Sequence, residues 1–118
     1  MFKGRIVRVV CYYRDASLLE MIISTFRKLL IDIEWVYGRR VSDDGLYEVV
    51  LGVRDSRNFK IAVLDLSNTV NVEAVEVLSS SEEGNYITNE YVNGNEVIKI
   101  YIPKADIEEC YSWGEVCG

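Results

Sequence analysis

The run YYRDASLLEMIISTF, from Tyr12 to Phe26, joins two periodicities and constrains the fold more than any other stretch of the chain. Before it, RIVRVVCYY alternates. Val7, Val9, Cys11 and Tyr13 make a wholly apolar set, and Ile6, Arg8, Val10 and Tyr12 a mixed one, as expected of a strand with one face on a core. After it, Leu18, Leu19, Ile22, Ile23, Phe26, Leu29 and Leu30 fall on one stripe of a helix. Ser17 and Glu20 match an S-x-x-E capping box, and Asp15 is a second candidate cap. Free backbone N–H groups gather at such a helix start, which makes strand-to-helix joins favoured ligand sites. Many carry a glycine where the backbone meets the ligand, but here none lies between Gly4 and Gly38.

The later elements follow the same logic. DIEWVYGRRV and LYEVVLGV flank the turn SDDGL, giving a hairpin from about Asp32 to Val53, with Gly45 available for positive φ. Tyr47, Val49, Leu51 and Val53 share one of its faces. Phe59, Ala62, Val63 and Leu66 have helical spacing after a cap at Asp55 or Ser56, with Ile61 and Leu64 widening the stripe, and Asn68 suits the left-handed residue after that helix. VNVEAVEVL reads as a fourth strand. The order from Arg5 to Leu78 is β-α-β-β-α-β, which predicts an α+β fold, the ferredoxin-like plait, with both helices on one face of an antiparallel sheet. The other face carries Ile6, Val10, Tyr12, Trp35 and Tyr37. It is too apolar to be left to water, so a partner surface is expected over it.

Past Leu78 the texture changes. The polar stretch SSSEEGN leads to YITNEYV and EVIKIYI, joined through Asn93-Gly94, a hairpin signal. Ile98, Ile100 and Ile102 share one face of that hairpin. An isolated hairpin is marginal in water, so it is expected to pack on its own domain or on a partner subunit. KADIEECYSWGEVCG reads as a short helix or a loosely docked tail. The chain thus divides into a plait over residues 1–78 and an extension over residues 79–118 of linker, β-hairpin and short acidic tail.

Composition narrows the function. A chain of 118 residues with 49% hydrophobic residues can build one core unaided. Its net charge of −6 argues against a nucleic-acid partner, and the pair Arg39-Arg40 reads as a solvated strand end. MFKGRIVRVV lacks the pattern of a signal peptide and no apolar run approaches a membrane span, so a cytoplasmic protein without membrane contact is expected. Cys11 reads as a core residue. Cys110 and Cys117 either pair in the tail or remain two thiols. There is no histidine, which removes the commonest general base and metal ligand. No phosphate-binding or nucleophile-elbow motif occurs. Asp43-Asp44 reads as turn chemistry, and Glu82-Glu83 and Glu108-Glu109 as solvated charge. Cys110 with Glu108 and Glu109 matches no metal site. No catalytic residue, metal or cofactor is assigned.

Two stretches carry a family resemblance. TFRKLLIDIEW and LDLSNTVNVEAVEVL resemble the helix end with second strand, and the entry to the last strand, of the ACT domain, and most closely that of the regulatory (small) subunit of acetolactate synthase. Phe26, Asp32, Ile33 and Glu34 match in the first stretch, and Leu66, Val70, Asn71 and Val72 in the second. The resemblance covers about Arg5 to Leu78. It implies a non-catalytic regulatory protein of branched-chain amino acid biosynthesis, a homodimer or higher homo-oligomer. It also implies a large thiamine-diphosphate-dependent catalytic subunit as partner, and branched-chain amino acids bound at the dimer interface.

The same resemblance points to Arg14, Asp15, Ala16, Ser17, Leu18, Asp32 and Ile33 as the effector site, in altered form. Where the family has Asn-x-x-Gly before the helix, Arg14 and Ser17 stand here, and Asp32 replaces a second asparagine. Serine fills the approach that glycine leaves open and can cap the same N–H groups. Asp32 adds a charge, and Arg14 offers a substitute carboxylate clamp. The expectation is a site that no longer takes valine-type effectors. A stand-alone amino-acid sensor serving another enzyme is the alternative, and a small plait enzyme using tyrosines or carboxylates is the third reading.

Overall fold

The computed structural model describes residues 4–80, 86–103 and 105–112. Strands β1 (Arg5–Tyr12), β2 (Ile33–Arg40), β3 (Leu46–Val53) and β4 (Val72–Ser80) alternate with helices α1 (Ser17–Lys28) and α2 (Phe59–Ser67) in the expected order. β5 (Tyr86–Asn93) and β6 (Glu96–Pro103) form the expected hairpin, and β7 (Ala105–Tyr111) follows. The fold is α+β: an antiparallel five-stranded sheet in the order β2-β3-β1-β4-β7 with two helices, compatible with a ferredoxin-like plait.

The core lies between the sheet and the helices. Val7, Val9 and Cys11 of β1 meet Val49, Leu51 and Val53 of β3 and Val75 and Val77 of β4. Leu18, Ile22 and Phe26 of α1 and Phe59, Ala62, Val63 and Leu66 of α2 close over them. These are the alternating strand positions and the centres of the helical stripes; Ile61 and Leu64, expected to widen the α2 stripe, are instead exposed.

Three further local features depart from expectation. Leu30 is not on the buried stripe of α1. It is 89% exposed with φ of 59°, because it ends the helix. The Ile31 N–H donates to the Phe26 carbonyl (3.0 Å) and the Leu30 N–H to the Arg27 carbonyl (3.0 Å), the paired bonds of a Schellman motif. Ile31 is buried against the core in its place. Likewise Asn68 keeps a negative φ of −95°, and the left-handed residue is Asn71 (φ 74°). It lies in a turn closed by the Val72 N–H donating to the Thr69 carbonyl (3.2 Å), where positive φ falls on the third position.

The third departure is the tail. Residues 105–111 are neither a short helix nor a loosely docked tail but β7, paired along β4. The edge of β4 presents unpaired N–H and C=O groups that a returning strand satisfies. The period-2 signal was masked because charges sit on both faces of IEEC. Cys110 in β7 is disulfide-bonded, whereas Cys11 is free and buried. Cys117 lies outside the described residues, as does the pair Glu82-Glu83. β5 and β6 pair with each other as a separate two-stranded sheet. Among the described residues, no helix is long and apolar enough to cross a membrane.

Candidate functional site

The join between β1 and α1 is held by its neighbours. The Tyr12 N–H donates to the Asn71 carbonyl (2.8 Å) and the Tyr13 N–H to the Gly45 carbonyl (2.9 Å). The join is therefore fixed between the α2–β4 turn and the β2–β3 hairpin. The rings of Tyr13 and Tyr47 lie 5.2 Å apart. Beside the join, Arg14, Asp15, Ser17, Leu18 and Met21 face Thr69, Val70 and Asn71 across an open concavity of about 560 Å³.

The helix start is satisfied from within, though not by the expected capping box. Ala16 is the N-cap residue, and its methyl group can accept no hydrogen bond. The Asp15 Oδ1 atom accepts the Ser17 N–H at 2.8 Å and also the Ser17 hydroxyl. The Glu20 N–H donates to the Ala16 carbonyl (3.3 Å). The two bonds from Ser17, with help from the nearby Arg14 charge, hold the Asp15 carboxyl below the usual carboxylate range. An ionised carboxylate thus occupies the place where an incoming anion would meet the helix N-terminus.

The sequence-predicted site residues are not all brought together. Arg14, Asp15, Ser17 and Leu18 line one concavity. Ala16 lines a different groove of about 310 Å³, on the outer flank of α1, with Leu19, Glu20, Ile23, Ser24 and Arg27. Asp32 and Ile33 stand beyond the other end of α1, a 12-residue helix that spans ~18 Å. There Ile33 packs against the core, and the Asp32 carbonyl accepts the Arg54 N–H (2.9 Å).

A charged ladder on the other sheet face was not foreseen. Arg8 Nε and Nη1 reach Glu48 Oε2 and Glu76 Oε1, each at 2.5 Å, and Arg39 Nε reaches Glu48 Oε1 at 2.5 Å. The ladder runs β2 to β3 to β1 to β4, and Glu48 is only 5% exposed. Burial alone would raise the Glu48 carboxyl. Bonds from Arg39 and Arg8 outweigh it and hold the group below its ordinary range. The signal was present: Arg8, Glu48 and Glu76 all fall on non-core positions of strands that become neighbours. Ile6 and Val50 on this face are also buried within the single chain, at 2% and 5% exposure. The Trp35 indole lies where a Cβ on Gly52 would stand, 2.2 Å from its Nε1.

Burial pushes the Cys11 thiol up to about 11, and its Sγ donates to the Tyr47 carbonyl. The Tyr111 hydroxyl donates to Glu109 Oε2 (2.7 Å); that bond and some burial raise it, the wrong direction for a base. The described residues contain no group of three potential metal ligands. Among known proteins, no family model matches the chain and no curated protein matches it in sequence.

Proposed function

We propose that the protein is a non-catalytic regulatory protein of the ACT type, resembling the small subunit of acetolactate synthase. It acts as a homodimer in allosteric contact with a catalytic chain, and its branched-chain amino-acid site is altered. The observation that carries this reading is the strand order β2-β3-β1-β4 with both helices packed on one face. The Asp15 carboxylate on the Ser17 N–H supports the altered site, because a ligand carboxylate would have to displace it.

Dimerisation through the edge strand β2 gives the scattered site residues a common location. In a two-fold pairing of β2 with β2 of a second copy, the strands run antiparallel. The start of one β2, with Asp32 and Ile33, then approaches the opposite end of the other copy, where its Arg14 to Leu18 lie. The α1 flank with Leu19 and Ile23 lies on the side of the helix away from Met21 and α2, over the same sheet edge. Two such flanks meeting antiparallel would set Glu20 of one against Arg27 of the other.

The tests are separate. Light scattering at micromolar concentration should report a dimer, and Ile23→Lys should give a folded monomer. Calorimetric titration with millimolar valine should show no saturable binding. The double change Ser17→Gly with Asp32→Asn should restore some, by reopening the approach and removing the unwanted charge. Saturable valine binding by the unaltered protein would refute the altered site. A second reading, a stand-alone amino-acid sensor, is favoured by the concavity itself. Arg14 and Asp15 are complementary to the two ends of a zwitterion, beside apolar Leu18, Met21 and Val70. Saturable binding without a co-purifying catalytic chain would select it.

A further inference from the structure

We propose that the tip of the β5–β6 hairpin is a site of spontaneous covalent modification, at which Asn93 deamidates through the backbone nitrogen of Gly94. The chain holds two turns in which an Asp or Asn precedes a glycine: Asp44-Gly45 between β2 and β3, and Asn93-Gly94 between β5 and β6. Ring closure at such a pair brings the glycine nitrogen onto the preceding side-chain carbonyl. Glycine favours it, because it bends freely and has no Cβ to obstruct the approach.

The first turn is held shut. Asp44 Oδ1 accepts the Ser42 hydroxyl and the Leu46 N–H (3.4 Å). The Gly45 carbonyl accepts the Tyr13 N–H (2.9 Å), and both flanking strands lie within the five-stranded sheet. The bonds from Ser42 and Leu46 also hold the Asp44 carboxyl below its ordinary range, and an ionised carboxylate is a poor electrophile.

The second turn is built differently. Gly94 takes φ of 63° at the first central position, where a Cβ would meet nothing within 4 Å. Asn93 and Glu96 are the last register pair, so the Gly94 nitrogen lies outside the ladder. Gly94, Asn95, Glu96 and Val97 are all exposed. Among the described strands, β5 and β6 pair only with each other, and a two-stranded hairpin is marginal in water. Its tip therefore frays more cheaply than a turn inside a five-stranded sheet. Fraying matters because an extended residue holds the next nitrogen away from its own side-chain carbonyl.

The step needs only water as co-reactant. The Gly94 nitrogen gives up its proton and attacks Asn93 Cγ, forming the new bond of a succinimide ring. The Cγ–Nδ2 bond breaks, and ammonia leaves carrying that proton. Water then opens the ring at either carbonyl, leaving aspartate or isoaspartate at this position. Either product adds a negative charge close to Glu96, in a chain that already carries −6. In the isoaspartyl product the main chain runs through Cβ and Cγ. That extra atom falls at the register pair Asn93↔Glu96 and breaks it. The hairpin thus has a chemical lifetime that the main sheet lacks.

The test incubates the full chain at body temperature and mildly alkaline pH, beside a synthetic peptide of residues 86–103, and reads both by peptide mass spectrometry. The segment containing Asn93 should gain about 1 Da and split into two chromatographic forms, one of them a substrate for isoaspartyl methyltransferase. Its rate in the folded chain should lie within about tenfold of that in the free peptide. Asn68, Asn71 and Asn95 should stay intact over the same period, and Asp44 should yield no isoaspartate. Asn93→Gln should remove the signal, because its ring would be one atom larger and close more slowly. In chain enriched for isoaspartate, the amides of β5 and β6 should exchange faster while those of β1 and β3 are unchanged. Four results would each overturn the proposal: an intact Asn93 in the folded chain beside a converted peptide, equal isoaspartate at Asp44, a mass gain that survives Asn93→Gln, or unchanged exchange in β5 and β6.

Discussion

The two faces of the main sheet are built by different physics. The helix-covered face is apolar and mainly aliphatic, from Val7 and Val9 to Val49, Leu51, Val75 and Val77, with Cys11 among them. Its contribution is area removed from water, about 25 cal/mol per Å² of apolar surface, and it tolerates no polar group. The opposite face mixes buried Ile6 and Val50 with the ladder Arg39–Glu48–Arg8–Glu76. There, each buried carboxylate stands only because its cations stand with it. The first face therefore sets how stable the protein is. The second sets how strictly one strand arrangement is specified, since the ladder forms in a single register.

The largest loss is expected at the first face. Phe26 is fully buried beneath α1, and Phe26→Ala should cost about 3–5 kcal/mol in urea denaturation. A loss below 1 kcal/mol would mean that this face is not the main source of stability. On the second face, Glu48→Ala should cost about 2–3 kcal/mol, since it removes the central carboxylate that both Arg8 and Arg39 bond and leaves Arg8 with Glu76 alone in the ladder. The pH dependence sharpens this. Glu48 is held below its ordinary value of 4.5. Its stabilisation is therefore complete above that value and lost as pH falls through the lowered one. Glu48→Gln should flatten the acid limb of a stability-versus-pH curve, and an unchanged limb would show that the ladder contributes nothing in solution.

The smallest expected effect comes from Gly52. Its missing Cβ leaves room for the Trp35 indole, so Gly52→Ala must displace the ring, at about 1–2 kcal/mol. The readout is the fluorescence maximum of Trp35, followed in a variant whose other tryptophan, Trp113, is replaced by phenylalanine. An unshifted maximum would mean that the indole does not lie on this face.

Periodicity along the chain carried most of the fold. Strand alternation and helical spacing marked the elements of residues 5–78 and named Val7, Val9, Cys11, Leu51 and Phe26 as core, because the period of a secondary element is a local property. Local chemistry also marked the turn at Gly45 (φ 97°) and the hairpin at Gly94 (φ 63°). The helix ends were half legible. Asp15 stood out as a possible cap, but only the folded chain made it the acceptor of both Ser17 donors, and only the fold moved Leu30 out of the stripe into the left-handed position.

Local pattern along the chain thus carries the order of elements, the identity of the core and the absence of histidine chemistry. The folded arrangement adds three things. It paired β7 with β4, because an open sheet edge accepts a strand whose charged residues conceal its alternation. It joined Arg8, Glu48, Arg39 and Glu76 into one ladder, because those residues are up to 68 positions apart and meet only through strand register. And it separated Asp32 and Ile33 from Arg14 and Ser17 by the length of α1, because a helix laid back across a sheet carries the chain to the far end before the next strand begins.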